Sequence, residues 1–241
     1  MADRAAIVTG ASSGIGLAIA RMLGQQGHAV TLAARRPEKL ADAAQALRDE
    51  GLVVEDVAVD LSSEDDIKKV VDVHRDRFGR LDVLVNNAGI GHGAPVAEAP
   101  TRKIDLQLDL NLRSIILFYR ECADLLRAAG AEHRNALVVN TASIAGKSPQ
   151  AWLAVYSATK AGVIGYSEAM NRELNGDGIK SVALCPGFVD TPMTDFIREH
   201  VPAEKMIQPG DIAEAVRWLL TLSPACVVPE IVFERVGERH E

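Results

Sequence analysis

Thr9-Gly10-Ala11-Ser12-Ser13-Gly14-Ile15-Gly16 closes a short apolar run, Ala5–Thr9, and opens a helical pattern over about Ile15–Gln26. A glycine-rich turn between strand and helix has a physical use. Gly10 and Gly14 allow a tight turn whose backbone N–H groups approach a pyrophosphate. Gly16 lets the helix pack close to the strand, and the helix N-terminus favours negative charge. Gly10, Ser12, Ser13, Gly14, Ile15 and Gly16 are therefore a candidate phosphate cradle. Their spacing is not the general GxGxxG fingerprint, so the flanking strand and helix carry much of the reading.

Outward from this turn the pattern repeats. Apolar runs at Ala29–Ala33, Val53–Val59, Val83–Asn86, Ala136–Thr141, Lys180–Cys185 and Ile231–Phe233 read as further strands. Their lack of polar alternation suits parallel strands covered on both faces. Helical patterns lie between them, at about Pro37–Glu50, Glu64–Phe78, Thr101–Ala129, Trp152–Asn175 and Asp211–Leu222. Ser62-Ser63-Glu64-Asp65 puts a hydroxyl cap and acids at one helix start. The alternation predicts an α/β fold: a doubly wound, Rossmann-type parallel sheet of about seven strands with helices on both faces. Such sheets bind ligands at the carboxyl ends of their strands, where strand order reverses.

Composition bounds what such a sheet can do. The chain has 241 residues, 48% hydrophobic and 24% charged, which fits a single α/β domain over 1–241 with a sizeable core. A net charge of −7 argues against nucleic acid or an anionic membrane as partner. No apolar run approaches the roughly 18 residues of a membrane span. Met1-Ala2-Asp3-Arg4 passes directly into the first strand without a signal-like leader. Cys122, Cys185 and Cys226 are odd in number and lack CxxC spacing, so neither a disulfide framework nor a metal site is expected. The expected setting is cytoplasmic.

The end of the second strand bears on the cofactor. A carboxylate there would hold adenosine ribose hydroxyls and repel a 2′-phosphate. The chain has Ala33-Ala34-Arg35-Arg36 instead, and two guanidiniums suit a phosphate by bidentate bonds and charge. NADP(H) is therefore expected ahead of NAD(H). Further along, Tyr156-Ser157-Ala158-Thr159-Lys160 follows Ser143 by thirteen positions. On a helix Tyr156 and Lys160 share one face, and Ser143 stands just past the strand Ala136–Thr141. Lowering a tyrosine from about 10 to near 7 takes about 4 kcal/mol. One cation at about 4 Å in an effective dielectric near 20 supplies about that much, so Lys160 is expected to tune Tyr156.

With these motifs in order, the chain resembles the short-chain dehydrogenase/reductase family over nearly its whole length. Asn86-Asn87-Ala88-Gly89 and Pro186-Gly187-Phe188-Val189-Asp190-Thr191 add to the likeness. The resemblance implies hydride transfer at a carbonyl or carbinol. In it Tyr156 is the proton donor or acceptor, Ser143 holds the oxygen, Lys160 also binds the nicotinamide ribose, and Asn111 holds a water in a proton relay. It further implies that Asp60 and Leu61 meet the adenine, that Asn87, Ala88 and Gly89 line the ribose, and that Pro186, Gly187, Val189 and Thr191 meet the carboxamide. Residues 191–209 become a lid, and Trp152, Leu153, Phe188, Met193 and Phe196, with Ser143, an apolar substrate pocket. A hydrophobic ketone, aldehyde or secondary alcohol is expected, handled by a homodimer or homotetramer. The tail, Val228 to Gly237, keeps a strand but lacks the Gly-Gly pair common in the family, which bears on the tetramer.

Two rival readings are a non-catalytic NADP(H)-binding sensor and a methyltransferase. No catalytic position is degenerate, against the first, and no acid ends the second strand, against the second. His28, His74, His92, His133, His200 and His240 show no metal-ligand spacing and are expected to be mostly solvated, with His92 the one near a substrate mouth. Cys185 reads as a small buried residue.

Overall fold

A computed structural model describes residues 3–237; Met1, Ala2 and His240 lie outside the described residues. Seven strands form one parallel sheet: β1 (Arg4–Thr9), β2 (His28–Ala34), β3 (Val54–Ala58), β4 (Val83–Asn86), β5 (Ala136–Thr141), β6 (Ile179–Pro186) and β7 (Glu230–Phe233). Their order is β3-β2-β1-β4-β5-β6-β7. The chain winds outward from β1 to β3, then crosses back to lay β4 against the other side of β1. A crevice at the carboxyl ends of β1 and β4 follows from that reversal.

Helices cover both faces. α1 (Gly14–Gln25), α2 (Pro37–Asp49) and α7 (Pro209–Thr221) bury Ile19, Leu23, Leu40, Leu47 and Val216 on one side. α3 (Glu64–Phe78), α5 (Ser114–His133) and α6 (Ala154–Leu174) bury Ile67, Phe118, Leu126 and Val163 on the other. The start of α3 is built as its sequence implies: the Ser63 hydroxyl accepts the Asp66 N–H, and Gly79 ends the helix at φ 69°. α7 begins at Pro209, earlier than Asp211. Gln208 caps it, and the Asp211 carboxylate returns to the Gln208 N–H at 2.9 Å, a reciprocal cap that accounts for the two extra residues.

Two helical expectations are corrected. The pattern Thr101–Ala129 is not one helix: α4 (Thr101–Leu108) passes into a π turn at Asp109–Arg113 before α5. The extra residue of a π turn displaces the helix face, and the residue so displaced is Asn111. The second pattern starts at Ala154 rather than Trp152, because Trp152 sits at φ 58°, outside helical geometry.

The histidines also depart from expectation. His28 and His74 are buried, and the His133 ring nitrogen Nε2 pairs with Asp82 at 2.9 Å. Asp82 also accepts from Arg80 and from the Ala5 N–H. Burial pushes its carboxyl up, but these bonds outweigh that and hold it below the usual range. His74 lies between the Thr31 hydroxyl at 2.7 Å and the Arg80 carbonyl at 2.8 Å, contacts that only the fold brings together. Burial lowers its pKa from 6.5 to about 4. The folded state thus favours neutral His74, and its stabilising effect is whole above 6.5 and lost as pH falls from there toward 4. Between pH 7.5 and 4.5 this amounts to about 2 kcal/mol. Urea unfolding at those two pH values checks it: the wild type is expected to lose about that much more stability than His74→Gln.

Candidate functional site

The crevice is a cavity of about 810 Å³ whose lining runs from the glycine turn to the segment after β6. Gly10 and Gly14 both adopt positive φ, 64° and 56°, which a Cβ would oppose. At Gly16 the obstacle is space: a Cβ would lie 2.5 Å from the Gly10 carbonyl oxygen and 2.6 Å from Asn87 Nδ2. The turn is held from behind by the segment after β4. Thr9 Oγ1 accepts the N–H groups of Asn87 and Ala88 at 2.9 and 3.0 Å, and Asn87 Nδ2 donates to the Thr9 carbonyl at 3.2 Å. Unlike Ser63 on α3, Ser13 makes no side-chain cap at the start of α1, and no acid lies in that first turn. The helix end keeps its positive character toward the cavity.

At the end of β2, Arg35 and Arg36 are exposed and line the same cavity. Asp60 is there too. Its Oδ1 accepts the N–H and hydroxyl of Ser62 at 3.1 and 2.8 Å. Those bonds, and then the Arg35 charge, hold its carboxyl below the usual range.

Ser143, Tyr156 and Lys160 converge on the cavity. Ser143 leaves β5 as the cap of a short 3-10 turn, its hydroxyl accepting the Ala145 N–H at 3.1 Å. Burial pushes the Tyr156 phenol up, opposed by a hydrogen bond with Ser143. Lys160 is buried, and its ammonium donates to the Thr141 carbonyl at 2.7 Å. Burial lowers Lys160 to about 8, with Cys185 opposing. Its Nζ stands 5.7 Å from the Tyr156 ring centroid. Burial is the first cause of the shift in both groups, raising Tyr156 and lowering Lys160.

The structure brings nearly every residue expected at the site onto this one cavity, including Leu61, Gly89, Leu153, Gly187, Phe188, Val189, Thr191, Met193 and Phe196. Gly16 and Asn111 stand behind it. Asn111 is fully buried in the π turn. Its Nδ2 donates to the Ile90 carbonyl at 2.9 Å and to Thr159 Oγ1 at 3.2 Å, and its Oδ1 accepts the Ile90 N–H at 2.8 Å. It clasps the segment after Gly89, and its Oδ1 and Lys160 Nζ flank the same glycine. Residues 191–209 close on themselves: Asp190 donates its N–H to the Ile207 carbonyl at 2.8 Å, and Ile207 to Phe188 at 3.0 Å.

Sequence reading missed Leu106, Leu110, Ile144 and Gln150, which also line the cavity. It missed buried Gln107 as well, whose Oε1 accepts the His92 N–H at 3.0 Å. The i, i+4 pair Leu106 and Leu110 was an available signal; Gln107 offered none. Cys185 is buried, and burial pushes its thiol up to about 12, so it is no nucleophile. Among the described residues no cluster of three or more His, Cys, Asp or Glu could hold a metal, and no helix is long and apolar enough to cross a membrane.

Residues 4–202 match the family model described as short chain dehydrogenase. A Streptomyces virginiae chain named for a ketoacyl reductase of monensin polyketide synthase is 41% identical over 202 residues, covering 83% of this chain and 76% of that one. A variant of actinorhodin polyketide ketoreductase solved with NADPH superposes with a TM-score of 0.86 at 35% identity, over 95% of this chain and 94% of that one. A 3-ketoacyl-(acyl-carrier-protein) reductase from Brucella melitensis, complexed with NADH, gives 0.87 at 29% identity over 98% of each chain.

Proposed function

The chain belongs to the short-chain dehydrogenase family of oxidoreductases, and from that premise we propose that it is an NADP(H)-dependent reductase of apolar ketones or related carbonyl compounds. The observation that carries this reading is the convergence of Ser143, Tyr156 and Lys160 on the cavity that also holds the glycine turn and Arg35. The cradle fits a dinucleotide: two positive-φ glycines, a third with no room for a Cβ, and an uncapped helix start. Gly10 to Gly16 would hold the pyrophosphate, Arg35 and Arg36 the 2′-phosphate, and Asn87 to Gly89 with Lys160 the ribose and nicotinamide end. When bound, the cofactor supplies the hydride.

The chain's own residues manage the oxygen. Ser143 donates a hydrogen bond that stabilises the charge growing on the substrate oxygen. Tyr156 hands its proton to that oxygen, acting as general acid, and recovers it when the alcohol is oxidised. A phenol is protonated at neutral pH, so Tyr156 holds the proton that reduction requires. Lys160 adds positive charge beneath both. Leu153, Phe188, Met193 and Phe196 favour an apolar carbonyl compound, with residues 191–209 as its lid. The reading also takes the chain as one domain, cytoplasmic, and a homodimer or homotetramer. Ile116, 39% exposed on α5, supports an apolar contact there.

The test is consumption of NADPH by the purified protein with a panel of apolar ketones, with the alcohol identified as product. Turnover with stoichiometric alcohol is expected. Tight NADPH binding without turnover of any carbonyl compound would overturn the reading in favour of a binding protein.

A further inference from the structure

Two non-glycine residues have positive φ among the described residues, Arg134 and Trp152. Arg134 is the ordinary end of a helix, the cap of α5. Trp152, at 58°, precedes α6 and caps nothing, and a bulky L residue is strained in that region. An observed outlier of this kind is a reason to look for a function.

The segment after β4 holds it there. The Trp152 carbonyl accepts the Ala94 N–H at 2.8 Å. Its indole occupies the space a side chain on Gly93 would need: a Cβ there would lie 1.9 Å from Trp152 Cε3 and 2.2 Å from Cζ3. That segment is itself pinned, at Ile90 by Asn111 and at His92 by buried Gln107. The indole thus rests on fixed backbone. It is nonetheless 53% exposed and lines the cavity that Ser143 and Tyr156 share. The strained backbone thus carries a half-exposed aromatic side chain on the wall of the cavity that Ser143 and Tyr156 line.

We infer that Trp152, held against Gly93, is a specificity-determining residue that selects carbonyl compounds carrying a planar aromatic group next to the reacting carbon. The inference rests on the reductase reading above. A ring already ordered meets a flat apolar partner in offset or edge geometry at little further entropic cost. A puckered saturated ring of equal size packs on the indole through C–H groups alone, without the extra attraction of an aromatic pair.

Acetophenone and cyclohexyl methyl ketone form a matched pair, and the ratio of their kcat/KM values is compared among the wild type, Trp152→Ala and Gly93→Ala. Intrinsic reactivity cancels in that comparison. Gly93 does not use positive φ, so alanine there meets no backbone barrier and acts by forcing its Cβ and the indole apart. The aromatic preference is expected to fall about three- to tenfold in both variants and to survive largely in Trp152→Phe. NADPH affinity, unchanged throughout, shows that the fold persists. A preference that stays put in both variants would overturn the inference. A wild type that reduces other ketones of the panel but neither of this pair, or shows no aromatic preference, would overturn the inference alone. One that binds NADPH and turns over no carbonyl compound at all would overturn the reductase reading and the inference with it.

Discussion

Tyr156→Phe is expected to lower kcat for carbonyl reduction about 100- to 10,000-fold while leaving NADPH affinity nearly unchanged. Phenylalanine keeps the ring and removes the one proton aimed at the substrate oxygen. Lys160 does not stand in for the lost phenol: it is buried, and its ammonium donates to the Thr141 carbonyl. The Ser143 hydroxyl remains in the variant and still stabilises charge on the oxygen, which leaves residual catalysis. Single-turnover reduction with bound NADPH is the measurement, since it separates the proton-coupled step from cofactor exchange. A variant with near-normal single-turnover rate would remove Tyr156 from the acid role.

The fold was legible because its signals are local. Each strand is a short apolar run, and Gly10, Gly14 and Gly16 are glycines for reasons of backbone shape that sequence displays directly. Ser143, Tyr156 and Lys160 were legible by spacing, since one helix turn and one strand end fix their approach. What escaped depends on contacts distant in sequence. The π turn at Asn111 exists where α4 meets the segment after Gly89, and the Asn111 amide is satisfied only by Ile90 and Thr159. The conformation of Trp152 is imposed by Gly93, fifty-nine positions earlier. The burial of His74 depends on Thr31 and Arg80 meeting around it. The distance between Lys160 and Tyr156 belongs to the same class. Helical periodicity places both on one face, but the Thr141 carbonyl decides where the ammonium rests.

Arg35→Ala is expected to weaken NADPH binding about 10- to 150-fold and to leave NADH binding nearly unchanged. Charge-assisted hydrogen bonds are worth about 1.5–3 kcal/mol each, which sets that range. Relatives of this chain have been solved with NADPH and with NADH, so the choice falls to local residues. Here β2 ends buried at Ala34 and delivers Arg35 and Arg36 to the cavity's rim, exposed and without an acid in the position that would favour a free ribose. Asp60 is not the acid at that position: it follows β3 rather than β2, and its Oδ1 accepts twice from Ser62. Removing Arg35 therefore takes away attraction for the 2′-phosphate without creating a partner for ribose hydroxyls. The loss should shrink with added salt, as the contact is an exposed charge pair. Fluorescence titration of both cofactors at two ionic strengths measures each part of the claim. Equal weakening for NADPH and NADH would take Arg35 out of the phosphate site and leave the preference to Arg36 alone.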